Sequence, residues 1–163
     1  MKRDEYLAGV NELYQGEVIG EGLTSSLLAS CAAEQKHIIS LLLQVESEAK
    51  VRLRPFLYRL GLSLQEDEQM RAAGIAFAAT LKGVSWEKAV IPLAELSKPY
   101  LQRYRALLAA APDTDKDDVA YMVAHEHAII NYFELEAQGQ GPEGIPDLLA
   151  LLNYPLPAGA VQK

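Results

Sequence analysis

The chain has 163 residues, half of them apolar and 23% charged, with a formal net charge of −7. That length predicts one domain, and that apolar share excludes a globally disordered chain. The acidic balance argues against nucleic-acid binding, which calls for a basic patch or stripe. Ala (23) and Leu (25) far outnumber Val (9), Ile (8) and Thr (3), a bias toward helix over sheet. One cysteine, Cys31, excludes an internal disulfide and any multi-cysteine metal site. The opening MKRDEYLAGV turns acidic before any apolar run, so no signal peptide is predicted. No stretch reaches the ~20 apolar residues of a membrane span. The expectation is a soluble, cytoplasmic, all-α protein of one domain over 1–163.

The first helix is predicted over 3–30, with Leu7, Val10, Leu13, Tyr14, Val18, Leu27 and Leu28 at helical spacing. Gly16 and Gly20, one turn apart, would admit a close neighbouring helix or mark a kink, and a break is expected near 20–22. The second helix is expected over 33–60, bent at Pro55 and ended by Gly61. Ser63 and Glu66 have the spacing of a capping box for a small-sided helix over 64–82. Ser85 would cap the next helix, 86–111, which Pro92 and Pro99 should bend or split. The fifth helix is expected over 114–137, its first turn carrying Asp115, Asp117 and Asp118 toward the positive end of the helix dipole. The run GQGPEGIP is expected to break the chain before a short helix near 147–152. A loosely held tail is expected over 153–163.

The informative feature lies in the apolar stripes. They read Val10, Leu13/Tyr14, Glu17, Glu21, Thr24, Leu28 in the first helix; Ile39, Leu42, Glu46, Ala49, Leu53 in the second; and Val119, Met122/Val123, Glu126, Ile129/Ile130, Phe133 in the fifth. In each, a glutamate stands where the 3.6-residue period calls for an apolar side chain. With turns near residues 32 and 112, Glu17 lies 15 residues before the first turn, Glu46 14 after it, and Glu126 14 after the second. At ~1.5 Å per residue, two antiparallel hairpins bring all three to one level, ~21–23 Å from the turns. Buried carboxylates need a cation, a proton or a hydrogen-bond donor.

This layout resembles the ferritin-like superfamily, in which two helices each supply a glutamate and two others each supply Glu-x-x-His around two metal ions. Glu126 followed seven residues later by the aromatic Phe133 is similar to the rubrerythrin-like pattern. The resemblance covers about 3–60 and 86–138. It implies a ferritin-like four-helix bundle core with an extra helix in the connection between the second core helix (33–60) and the third (86–111), and a short C-terminal helix. It also implies iron or manganese and redox or oxygen chemistry, with Glu17, Glu46 and Glu126 as ligands and His127 as a weaker fourth. The chain departs from the superfamily at both histidine positions, which are Ala49 and Ile129. The fourth core helix offers either Glu95, off the stripe, or Ser97, on it. The site is therefore expected to be degenerate or non-standard.

Other readings stand beside this one. Glu46 has Lys50 four residues on, the orientation of a surface ion pair. His125 and His127 flank Glu126, but neighbouring helix residues point about 100° apart and cannot all converge; one is expected outside and the other along a helix seam. The Glu-x-x-His of Glu34–His37 lies far from the level of the stripe glutamates. Tyr100 or Tyr104 could donate a hydrogen bond to a stripe glutamate. Function then divides between a metal site, a metal-free scaffold for binding or oligomer assembly, and acid–base chemistry on a small organic molecule held between helices. A homodimer is expected from the prevalence of two-fold symmetry.

Overall fold

Residues 1–154 are described by a computed structural model. They form six α-helices and no strand: α1 (Arg3–Ser30), α2 (Lys36–Arg59), α3 (Glu68–Thr80), α4 (Trp86–Ala110), α5 (Lys116–Ala137) and α6 (Gly141–Ala150), with a 3-10 turn (Ala33–Gln35) before α2. The all-helical expectation holds. None of these helices is long and apolar enough to cross a membrane.

α1 packs on α2, α3 and α4, and α5 packs on α2, α4 and α6. The expected break in α1 at 20–22 is absent, and α2 and α4 run through Pro55, Pro92 and Pro99 without being split. α2 ends as its sequence predicts. Gly61 takes a positive φ of 73°, and the Leu62 amide donates back to the Leu57 carbonyl, closing the helix as a C′ glycine does.

Two boundaries differ from the sequence reading. α3 starts at Glu68, because Asp67 rather than Ser63 caps it: the Asp67 carboxylate accepts from the Gln69 amide at 2.8 Å. Ser63 instead accepts from the Gln65 amide within the connecting loop. α6 starts at Gly141, inside the run read as a breaker. Gly139, with φ 76°, is enough to end α5, and Pro142 falls in the first turn of α6, where a missing N–H is harmless. Of the tail expected to be loose, Asn153 and Tyr154 hydrogen-bond to α2 through Glu48 and Gln44; residues 155–163 lie outside the described residues.

α3 lies unusually close to α1. A Cβ on Gly74 would run into the Ile19 carbonyl and the Leu23 amide nitrogen, so only glycine permits this approach. Ion pairs hold the same edge. Lys50 of α2 meets Glu21 of α1 at 2.5 Å and Glu66 of the loop at 2.6 Å, and Arg71 of α3 reaches both carboxylates. Lys50 is therefore engaged away from Glu46, and the surface pair between those two does not form.

The buried apolar residues fall into two clusters. One surrounds Leu23, Leu42, Trp86, Leu93, Ile129 and Phe133; the other surrounds Val10, Tyr14, Leu53, Phe56, Tyr104 and Met122. Glu17, Glu46, His125 and Glu126 lie between them in sequence along α1, α2 and α5, and all four are buried.

A buried carboxylate and histidine cluster

Glu17, Glu46 and Glu126 all line one small cavity, together with Ser97, Tyr100 and Tyr104 of α4. The structure thus brings the three stripe glutamates together. Each helix contributes for a local reason. Glu17 follows Leu13 and Tyr14 by one turn, Glu46 follows Leu42, and Glu126 follows Met122; these apolar neighbours are almost fully buried and fix which face turns inward. Gly20 makes room for Glu46, since any Cβ there would collide with its carboxylate. Gly16 likewise faces the Tyr104 hydroxyl. These two glycines accommodate side chains of α2 and α4. The close helix contact expected of them is made instead through Gly74.

His127 does not join the cluster. It is exposed and lines a separate surface groove with Arg52 and Arg105. The histidine inside is His125, with 0% of its surface exposed. Its Nε2 lies 3.3 Å from Oε2 of Glu17, but the two atoms are misaligned for a hydrogen bond. Both ring nitrogens and that Glu17 oxygen have no partner. The helical period contained the signal for this residue: His125 is three residues after Met122 and four before Ile129, on the row of α5 that is buried. Glu95 points outward to an ion pair with Lys98 at 2.6 Å, so Ser97 is the α4 residue at this level. Glu34 is exposed and His37 lines a surface pocket with it, apart from the cavity.

Burial dominates the electrostatics. It raises the Glu17 carboxyl well above the usual carboxylate range, aided by the charges of Glu46 and Glu126 and by a hydrogen bond shared with Glu46. Burial and the Glu126 charge push Glu46 up to about 8, although the bond with Glu17 works the other way. Burial pushes Glu126 up to about 7, against a hydrogen bond from Ser97 and the charge of Arg103. Burial also takes His125 down to about 4. Without a cation, burial therefore favours protonated carboxyl groups and a neutral imidazole in this cluster.

One donor atom each from Glu17, Glu46 and His125 lie within 4.8 Å of one another. Two carboxylates and a neutral imidazole form a donor set suited to divalent iron, manganese or zinc. The orphaned imidazole and carboxylate atoms are the ones such an ion would satisfy, so the residues fit a metal. The cavity volume is about 50 Å³, room for water-sized molecules and far below the ~300–1,000 Å³ of pockets for organic ligands.

Fold and cluster together define an all-helical protein with a buried carboxylate–histidine centre. Compared with known proteins, no family model matches the chain, and no curated protein or solved structure matches it significantly.

Proposed function

We propose that the chain is a ferritin-like protein in which α1, α2, α4 and α5 form a four-helix core around a non-standard site for iron or manganese. The observation that carries this reading is the convergence of Glu17, Glu46 and His125, all buried, with one Glu17 carboxylate oxygen and both His125 ring nitrogens lacking a partner. Leaving such groups unsatisfied costs ~1–3 kcal/mol each, and a cation is the partner their chemistry suits. The pairwise packing of α1 on α2, α2 on α5, α5 on α4 and α4 on α1 supports the four-helix core. α3 is then the extra helix in the connection from α2 to α4, and α6 the short C-terminal one.

Glu17 and Glu46 would hold the ion through carboxylate oxygens and His125 through a ring nitrogen. A bound iron or manganese ion would supply one-electron redox and oxygen chemistry. The chain's own part is to release the protons on Glu17 and Glu46, to keep His125 neutral by burial, and to limit access to molecules of water size. Tyr104, whose hydroxyl is buried beside Gly16, keeps its proton because burial and the nearby Glu126 and Glu17 charges raise it well above the ordinary phenol range.

A second reading is a metal-free scaffold for binding or assembly, such as a homodimer. It is favoured by burial, which raises the Glu17, Glu46 and Glu126 carboxyl groups and so lets them hold protons in place of a cation. Elemental analysis separates the two. The protein is purified from cells supplied with iron and manganese, beside Glu17→Ala and His125→Ala variants. Bound metal in the wild type that is lost in both variants is expected; no metal above background in the wild type would establish the scaffold.

A further inference from the structure

We propose that the site holds one divalent cation, bound by Glu17, Glu46 and His125, with Glu126 standing in the same cavity as a carboxylate that does not ligate it. This rests on the metal reading above and specifies its ligands and stoichiometry.

The geometry of the donors comes first. Ligand atoms about 2.0–2.2 Å from one ion must lie within roughly 4.4 Å of each other. The atoms of Glu17, Glu46 and His125 come within 4.8 Å, so a small closure of the side chains puts them on one ion. Glu126 is outside this group although it lines the cavity.

A second ion would stand ~3.5–4 Å from the first and need its own ligands. The positions that could supply them are Ala49 on α2, Ile129 on α5 and Ser97 on α4. Ala49 and Ile129 are buried and apolar, and Ser97 offers only a neutral hydroxyl. Glu95, the other carboxylate on this part of α4, is turned to solvent and paired with Lys98. Glu126 would be the second ion's sole protein ligand. Charge gives the same result: Glu17 and Glu46 balance one divalent ion, while a single carboxylate leaves a second ion with an uncompensated charge in a buried site, which is strongly unfavourable.

The test is a Mn(II) titration of protein stripped with a chelator. Free Mn(II) is followed by its electron paramagnetic resonance signal, and thermal melting is recorded at each addition. One Mn(II) per chain is expected, with an isolated-ion spectrum and a melting temperature that rises to saturation at one equivalent. Glu126→Gln should keep one Mn(II) per chain with affinity within about threefold. His125→Ala should weaken binding by about tenfold or more, and Glu17→Gln, which preserves volume, should do the same if the histidine variant does not fold. Two Mn(II) per chain, or a coupled-pair spectrum, would overturn the single-ion site while leaving the metal reading intact. Loss of binding in Glu126→Gln with binding retained in Glu17→Gln would overturn the ligand assignment. No binding by the wild type would overturn both.

Discussion

The imidazole Nε2 of His125 and a carboxylate oxygen of Glu17 lie 3.3 Å apart inside the protein without forming a hydrogen bond. Two helices thus aim polar atoms at each other and leave them unsatisfied, which costs a fold without a bound cation ~1–3 kcal/mol per group. The double variant Glu17→Leu/His125→Leu removes the pair together and fills the volume with apolar atoms. Replacing both partners of a buried polar pair by apolar groups is near-neutral or stabilising. In chelator, the variant should unfold at the same urea midpoint as the wild type or a higher one. It should also show no added stability with metal, whereas the wild type gains ~2.7 kcal/mol at a metal concentration one hundred times its Kd. A variant much less stable than wild type in chelator would show that the pair supports the fold directly.

Stability should depend on pH in a direction set by the cluster. Glu46 is raised from 4.5 to about 8, Glu126 from 4.5 to about 7, and Glu17 is raised as well. Between the unfolded and folded values the native state holds protons that the unfolded chain has released, so raising the pH destabilises it. His125, lowered from 6.5 to about 4, has the opposite effect, but only between those two values. Above pH 6.5 the carboxylates act alone. The metal-free protein should therefore show a falling melting temperature from pH 6.5 to 8.5, with a shallower fall in Glu46→Gln. With Mn(II) bound the fall should largely disappear, because the cation has already displaced those protons. A flat metal-free profile would count against neutral carboxyl groups at this level.

Gly20→Ala and Gly74→Ala separate the site from the scaffold. The first places a methyl group against the Glu46 carboxylate, and the second places one against the backbone of α1. A side chain can swing aside and a backbone cannot. Gly74→Ala should lower stability by ~1–3 kcal/mol, as overpacking does, while leaving metal stoichiometry unchanged. Gly20→Ala should cost less stability and weaken metal binding. Chemical denaturation and metal titration of the two variants check both halves; equal effects on binding would show that Gly20 has no special relation to the site.

Lys50→Met should destabilise the protein. The ammonium group is nearly buried and bonded to both Glu21 and Glu66. Removing it leaves Arg71 as the remaining cation for those two carboxylates. Hydrogen bonds to charged groups contribute ~1.5–3 kcal/mol, so a loss of that order is expected in urea unfolding. Mutating Arg59, half-exposed and paired with Asp115 and Asp118, should have a smaller effect that salt reduces further.

The inward glutamates were legible in the sequence because a single charged residue in an otherwise apolar row is conspicuous at helical spacing. Glu126, bracketed by Met122, Ile129 and Phe133, is the clearest case. The histidine was misread because His125 and His127 flank the same glutamate, and choosing between them requires knowing the rotation of α5 to within one residue. Tyr132 and Ile129 decide it, since they put His125 rather than His127 on the buried row. The start of α6 was hidden by a run of glycine and proline, whose effect depends on position: Gly139 stops one helix, and Pro142 fits the first turn of the next. The partners of Lys50 were not legible either, because Glu21 and Glu66 reach it across two other segments of the chain.

The polar level between the two apolar clusters has a bearing on how the helices are aligned lengthwise. Apolar side chains can exchange neighbours at modest cost, so a purely greasy seam tolerates sliding. If α1 moved one turn past α2 and α5, about 5.4 Å, Glu17 would enter one of the apolar clusters and leave Glu46 and His125 facing hydrocarbon. The carboxylates and the imidazole thus act as a lengthwise lock: only one alignment keeps all of them within reach of each other.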